Sequence, residues 1–158
     1  MTWKATKCLA GINMADFALD IQKFAESFED GAEQAVRSTF IALSASFVNT
    51  SPVDEGRFRA NWFATGQQPS TKVTFNKDKD GSDTIKAITN VATSIQDWSV
   101  LTITNNLPYS EKIEFGGYGD GPLTSGGYSK KAPQGVVRIN IKRFNQLLEK
   151  EARKYLPK

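Results

Sequence analysis

The 158-residue chain contains no histidine. That absence removes the commonest general base, the Ser-His and Cys-His nucleophile pairs, and most transition-metal sites. There is one cysteine, Cys8, so no internal disulfide can form and the fold must stand on packing, as expected of a cytosolic product. No apolar run approaches the roughly 20 residues that a membrane helix needs. The stretch Cys8–Ile12 is too short for a secretory h-region, so the product is expected to be made and used without passing through a translocon, with no membrane partner. Phosphate loops of the GxxxxGK[ST] and GxGxxG kinds are also missing, and the glycines at 116–127 lack the flanking strand and helix that would aim amides at a phosphate.

The composition that remains, 39% hydrophobic and 23% charged, is that of a globular protein. The length suits a single domain spanning 1–158, with a radius of gyration of roughly 15 Å. Net charge is only +3, but it is unevenly placed. Residues 1–129 carry 11 basic and 15 acidic side chains, whereas residues 130–158 carry 9 basic and 2 acidic. Such asymmetry suits a molecule whose ends meet different partners, copies of itself included; a solvated basic helix is the plainer explanation.

Apolar residues recur at helical spacing from Met14 to Asn49, as Phe17, Ile21, Phe24 and Phe28 and then as Val36, Phe40, Leu43 and Phe47. Asp16 is the expected N-cap, and Pro52 closes the segment. A straight helix of this length would run roughly 50 Å, longer than the domain is wide, so a break or bend is expected near Asp30-Gly31. After Pro52, the alternation of Phe58, Ala60 and Trp62 with Arg57, Arg59 and Asn61 predicts a half-buried strand. A short strand is expected at Lys72–Phe75 and a helix at Thr84–Asp97 capped by Ser82 or Asp83, with Ile85, Ile88, Val91, Ala92 and Ile95 on one face. Ser99–Thr104 reads as a strand, Pro108–Phe115 as a short helix, and the glycine-rich residues 116–131 as a mobile surface loop. Val136–Ile141 reads as a strand by composition, but Val137, Ile141, Phe144, Leu148, Ala152 and Tyr155 continue one helical face, which favours a C-terminal helix from about Pro133 to Tyr155. The fold class is α+β: a long N-terminal helix, a small mostly antiparallel sheet, a middle helix and a C-terminal helix. Trp3, Trp62 and Trp98 are expected as core or interface anchors.

Two constellations invite chemistry and do not sustain it. Asn76, Asp78, Asp80 and Gly81 imitate the front of a calcium-binding loop, but its closing glutamate position is Ala87, so a charged turn before a helix is the better reading. Glu111 and Glu114 lie three apart on a short helix with no second element to form a cleft between carboxylates. No catalytic, cofactor-binding or metal-binding residue is assigned, and no cofactor is expected.

Three segments carry a more specific pattern. They are Thr50-Ser51-Pro52-Val53-Asp54-Glu55-Gly56-Arg57-Phe58-Arg59-Ala60-Asn61-Trp62, then Ile103 to Gly116 with Asn106, Pro108, Tyr109, Glu114 and Gly116, then Ala132-Pro133-Gln134-Gly135-Val136-Val137-Arg138. In physical terms, Asp54 and Gly56 make a turn after Pro52, Tyr109 and Phe115 anchor the short helix, and Gly116 stops it. Arg59, Arg138 and Glu114 are polar residues on packed elements and candidates for a geometry-fixing ion pair.

In order and spacing these segments resemble the minor tail, or tail-completion, proteins of long-tailed bacteriophages, the group that includes the Z protein of phage lambda. The resemblance spans roughly residues 16–155; Glu55 stands where that family usually has threonine, and the loop after Gly116 is longer than in short members. It implies a structural virion protein at the neck or top of the tail, present in the host cytoplasm during assembly. It also implies a homo-oligomeric ring, six copies being preferred and twelve the alternative. Expected partners are the tail terminator or tail tube protein and the head-tail connector proteins, with passing contact with DNA. Tyr118, Tyr128, Lys130, Lys131, Lys142 and Arg143 are the expected interface residues. Alternatives are a tail terminator or other connector ring, a nucleic-acid-binding protein using the basic C-terminal helix, and a histidine-free hydrolase.

Overall fold

A computed structural model describes residues 14–157, with side chains from Phe17 onward. Trp3 and Cys8 lie outside the described residues. The first element, α1 (Met14–Thr50), is one uninterrupted helix of 37 residues, about 55 Å long. The expected break at Gly31 is absent, and the expected cap Asp16 lies within the helix. What changes near Gly31 is the face. At about 100° per residue, Phe17, Ile21, Phe24 and Phe28 line one side of α1, and Phe40, Leu43 and Phe47 line a side turned by roughly 100° from it. Gly31 is buried because a Cβ there would collide with the main-chain carbonyl of Tyr155. The residue that suggested a break instead admits a neighbouring chain segment.

Ser51 ends α1 by donating its hydroxyl to Phe47 O at 2.7 Å, and it accepts Trp62 Nε1 at 2.9 Å. Arg57–Asn61 is not the expected strand. It coils locally into a turn and a 3-10 segment (Arg59–Asn61), with Ala60 N–H donating to Gly56 O and Asn61 N–H donating to Phe58 O. Phe58 and Trp62, four apart, therefore fall on one side, which the apparent alternation did not distinguish from a strand. Strand β1 (Trp62–Thr65) pairs antiparallel with β2 (Thr102–Asn105), Trp62 opposite Asn105 and Thr65 opposite Thr102. The expected strand at 72–75 does not form, because side chains take its backbone groups. Asn61 receives Thr74 N–H at 2.8 Å and donates to Thr74 O at 3.0 Å, and Asn106 donates to Ser70 O and Lys72 O.

Helix α2 (Ser82–Ser94) starts under Asp78 rather than Ser82 or Asp83. The buried Asp78 carboxylate accepts Gly81 N–H and Thr84 N–H, each at 2.9 Å, and the Thr84 hydroxyl at 2.6 Å. The residue at the centre of the calcium-loop imitation thus caps a helix. At the other end of α2, the buried Arg37 of α1 donates to the carbonyls of Ala92 and Ile95, so one guanidinium ties the helices together. Ile88 and Ala92 are buried, while Ile85 and Val91 pack on the core beside them.

Helix α3 (Ser110–Phe115) ends at Gly116, whose N–H bonds Lys112 O and whose φ is +85°. Residues 116–131 are more ordered than a loop: β3 (Thr124–Ser125) and β4 (Tyr128–Ser129) form a hairpin through Gly126-Gly127, both at positive φ. The expected helix 133–155 is split into α4 (Val137–Ile141) and α5 (Phe144–Tyr155), and Pro133 precedes α4 without starting it. Asn140 breaks the run. Its amide bonds Thr50 Oγ1 at 2.7 Å and Val136 O at 2.8 Å, while its own carbonyl accepts Arg143 N–H three residues on. With the run broken there, Ile141 at the end of α4 and Phe144 and Tyr155 on α5 leave the expected buried face and stand exposed.

The core gathers Phe47, Val48, Phe58, Trp62, Ile88, Leu107, Ile113 and Val136. Ring centroids of Phe47 and Trp62 are 5.5 Å apart, and those of Phe58 and Trp62 5.8 Å, edge to face. Burying each large apolar side chain stabilises by about 1.5–3 kcal/mol. Trp98 is half-buried. Among the described residues, no helix is long and apolar enough to cross a membrane.

Candidate functional site

The three motif segments, distant in sequence, converge at one junction. Pro52 and Arg59 of the first share an open cleft with Pro133 and Gly135 of the third and with Lys131 just ahead of it. The turn after Pro52 reaches Gly56 at φ +88°, where a Cβ would strike the Asp78 backbone. Only glycine allows this turn to lie against the α2 cap. Asp54 is exposed at the turn's tip, and Glu55 beside it pairs with Lys77 at 2.7 Å, whose ammonium holds the Glu55 carboxyl below its usual range.

Arg59 bridges two ends. It donates to Asn49 O at 2.8 Å, in the last turn of α1, and to Lys79 O at 2.6 Å, in the turn that leads to α2. It does not join Glu114. Glu114, on α3, accepts the amides of Val136, Val137 and Arg138 at 2.7, 2.8 and 2.9 Å, so its carboxylate caps the start of α4. Arg138 completes the arrangement through Nε at 3.1 Å and by donating to the Glu114 main-chain carbonyl. Burial pushes the Glu114 carboxyl up, but the three amides and the guanidinium together outweigh it and hold the group below its ordinary value. Gly135 is required beneath this cap, since a Cβ there would meet both Glu114 O and its carboxylate.

Tyr109 packs on Phe58 with centroids 6.1 Å apart and anchors α3. Phe115 does not anchor it; the ring is 62% exposed, with the Arg138 guanidinium 5.2 Å above it. Asn106 holds the 70–72 segment, and Pro108 is exposed just ahead of α3. Of the residues expected at interfaces, Tyr118 packs on the core, and burial, with Tyr109 nearby, raises its hydroxyl pKa. Tyr128 is half-buried with its hydroxyl 3.4 Å from Arg138. Lys130 and Lys131 donate to the carbonyls of Pro122 and Val53. Lys142 and Arg143 stand exposed at the turn between α4 and α5, without a side-chain bond to any described residue.

Chemically, the junction is a set of hydrogen bonds between elements. Both Glu114 oxygens accept amides and both Asp78 oxygens cap α2. Among the described residues, no cluster of three acidic or cysteine side chains is placed to hold a metal ion. Sequence reasoning missed Asp78 and Asn61 as organisers. The signal available was their polarity inside segments that otherwise alternate or turn, and only tertiary contact reveals what they bond. Comparison with family models, with curated proteins and with solved structures finds no match.

Proposed function

We propose that this chain is a structural protein of a tailed-bacteriophage particle that completes the upper end of the tail at the head-tail junction and makes it competent to join a filled head. The observation that carries this reading is the ordered trio of motif segments that resembles tail-completion proteins. Their convergence supports it: Pro52, Gly56, Arg59, Tyr109, Glu114, Gly135 and Arg138 meet at one junction, where the Arg59 and Arg138 guanidiniums and the Glu114 carboxylate bond to backbone or to each other across elements. Such a body acts by presenting surfaces to neighbours. In this reading it forms a ring, by heterologous contacts that close under rotation, six copies being preferred. Its neighbours are the tail terminator or tube protein on one side and the connector on the other.

Electron microscopy of particles made without this protein tests the placement. Filled heads and complete tails that accumulate separately are the expected result. Normal joined particles, or the protein's absence from finished virions, would remove it from the junction.

A further inference from the structure

Helix α1 overhangs the body. Every residue from Phe17 to Asp30 is exposed, and then Gly31, Ala35 and Thr39 are buried. The overhang is about 20 Å long. It is not polar all round, as a free-standing helix should be. Phe17, Ile21, Phe24 and Phe28 follow one another at spacings of four, three and four, and each is 48–58% exposed. Together they leave on the order of 300–400 Å² of apolar surface bare, within the size of the largest patch on a typical monomer, which is often functional. Asp20 borders this stripe on one side and Glu29 on the other. Phe17–Asp30 holds four acidic residues and one basic.

The stripe continues an occupied face. Gly31, Ala35 and Thr39, on the same side of α1, are buried, α5 packs against α1, and its last turn meets Gly31 through Tyr155. Where α5 ends, the face runs on uncovered among the described residues. At the opposite end of the molecule is a surface of complementary chemistry. Ile141 is 54% exposed and Phe144 40%, and Lys142 and Arg143 lie between them. Ile141 stands one turn on from Arg138, whose guanidinium covers the exposed Phe115. Two cations without a described partner, Lys142 and Arg143, thus stand beside Ile141 and Phe144, while Arg138, paired with Glu114, lies over Phe115. Asn140 bonds Thr50 at the far end of α1, which places this patch about 40 Å along the helix from Phe24. One continuous helix separates the two surfaces, so they cannot meet within a chain.

We infer that the acidic apolar arm of α1, centred on Phe24, docks on the basic apolar patch around Ile141 of a second copy, in a head-to-tail contact. The inference rests on the ring reading above and supplies its interface. Different patches on the two partners make the contact heterologous, the kind that builds rings. Apolar anchors set between complementary charges suit a specific contact, and a 14-residue arm offers surface of the size that one side of a stable interface needs, about 800 Å².

The test uses two variants of the full chain, Phe24→Asp in the arm and Ile141→Asp in the patch. Both sites are exposed, so circular dichroism should show unchanged folding. By sedimentation, the wild type should form closed oligomers, and each variant alone should associate at least ~30-fold more weakly, as when one anchor is removed. An equimolar mixture should give one-to-one pairs and nothing larger, because the arm variant keeps a good patch and the patch variant a good arm. If both variants assemble like the wild type, this contact is wrong and the ring reading survives on other surfaces. If the patch variant alone pairs as strongly as the mixture, the arms pair with each other and the head-to-tail contact is wrong. A wild type that stays monomeric at all concentrations overturns both the contact and self-assembled rings, while the placement in the particle is judged separately by microscopy.

Discussion

Between Gly31 and Thr50, α1 lies against α2, α5 and the core; between Phe17 and Asp30 the same helix, with the same three-four spacing of apolar residues, is exposed on every side. The buried half is fixed by particular contacts: Arg37 on the end of α2, Gly31 under Tyr155, and Phe47 against Trp62. The overhanging half has helix propensity and an i,i+4 bond from Gln22 to Glu26 at 2.9 Å. An amphipathic stripe therefore announces a face to be covered without saying whether the same chain covers it. The two halves differ in the angle of their stripes, and that turn of roughly 100° is what sets the overhanging face apart from the core-facing one.

The sharpest way to break this comparison is to truncate one aromatic in each half. Phe47→Ala should cost about 3–5 kcal/mol of stability in chemical denaturation, since it opens a cavity beside Trp62. Phe24→Ala should change the stability of the separated chain by no more than about 0.5 kcal/mol. Equal losses would mean that the arm is packed in the separated chain.

A smaller effect tests whether the body's rigidity comes from its motif junction. Glu114→Gln should lower stability by about 2 kcal/mol at neutral pH, because the replacement amide sets a donor against amides that the carboxylate accepts. The Glu114 carboxyl lies below its ordinary value of 4.5 in the folded chain. Its contribution is thus complete above that value and is lost as pH falls through the lower folded value. The gap between wild type and variant should be widest near neutrality and should close on acidification, in denaturation series run at several pH values. A gap that is constant with pH would show that the carboxylate's charge is not what holds α4.

Much of this architecture was legible in the sequence because local physics determined it. The long helix, the middle helix and the α+β class followed from spacing, although neither expected cap proved right, and the stop at Gly116 followed from its glycine. The parts that were not legible depend on contacts distant in sequence. Nothing near Lys72–Phe75 shows that Asn61 and Asn106 will take its backbone groups. Asn140 looks like an ordinary polar helix residue until Thr50 lies beside it. Gly31 reads as a helix breaker because propensity counts against glycine, whereas its place is set by the approach of Tyr155. At the motif junction, the pairing of Glu114 with Arg138 was foreseeable from chemistry, while the exclusion of Arg59 required the positions of two helix ends.

Amide hydrogen exchange along α1, compared between the separated chain and the assembled oligomer, addresses the unpartnered arm most directly. In the separated chain, residues 17–30 should exchange quickly and residues 31–50 slowly, because among the described residues only the second group is held by tertiary contacts. On assembly the arm should slow by at least ~10-fold while the buried half stays as it was. An arm already as protected as 31–50 in the separated chain, or one that assembly leaves unchanged, would contradict the account.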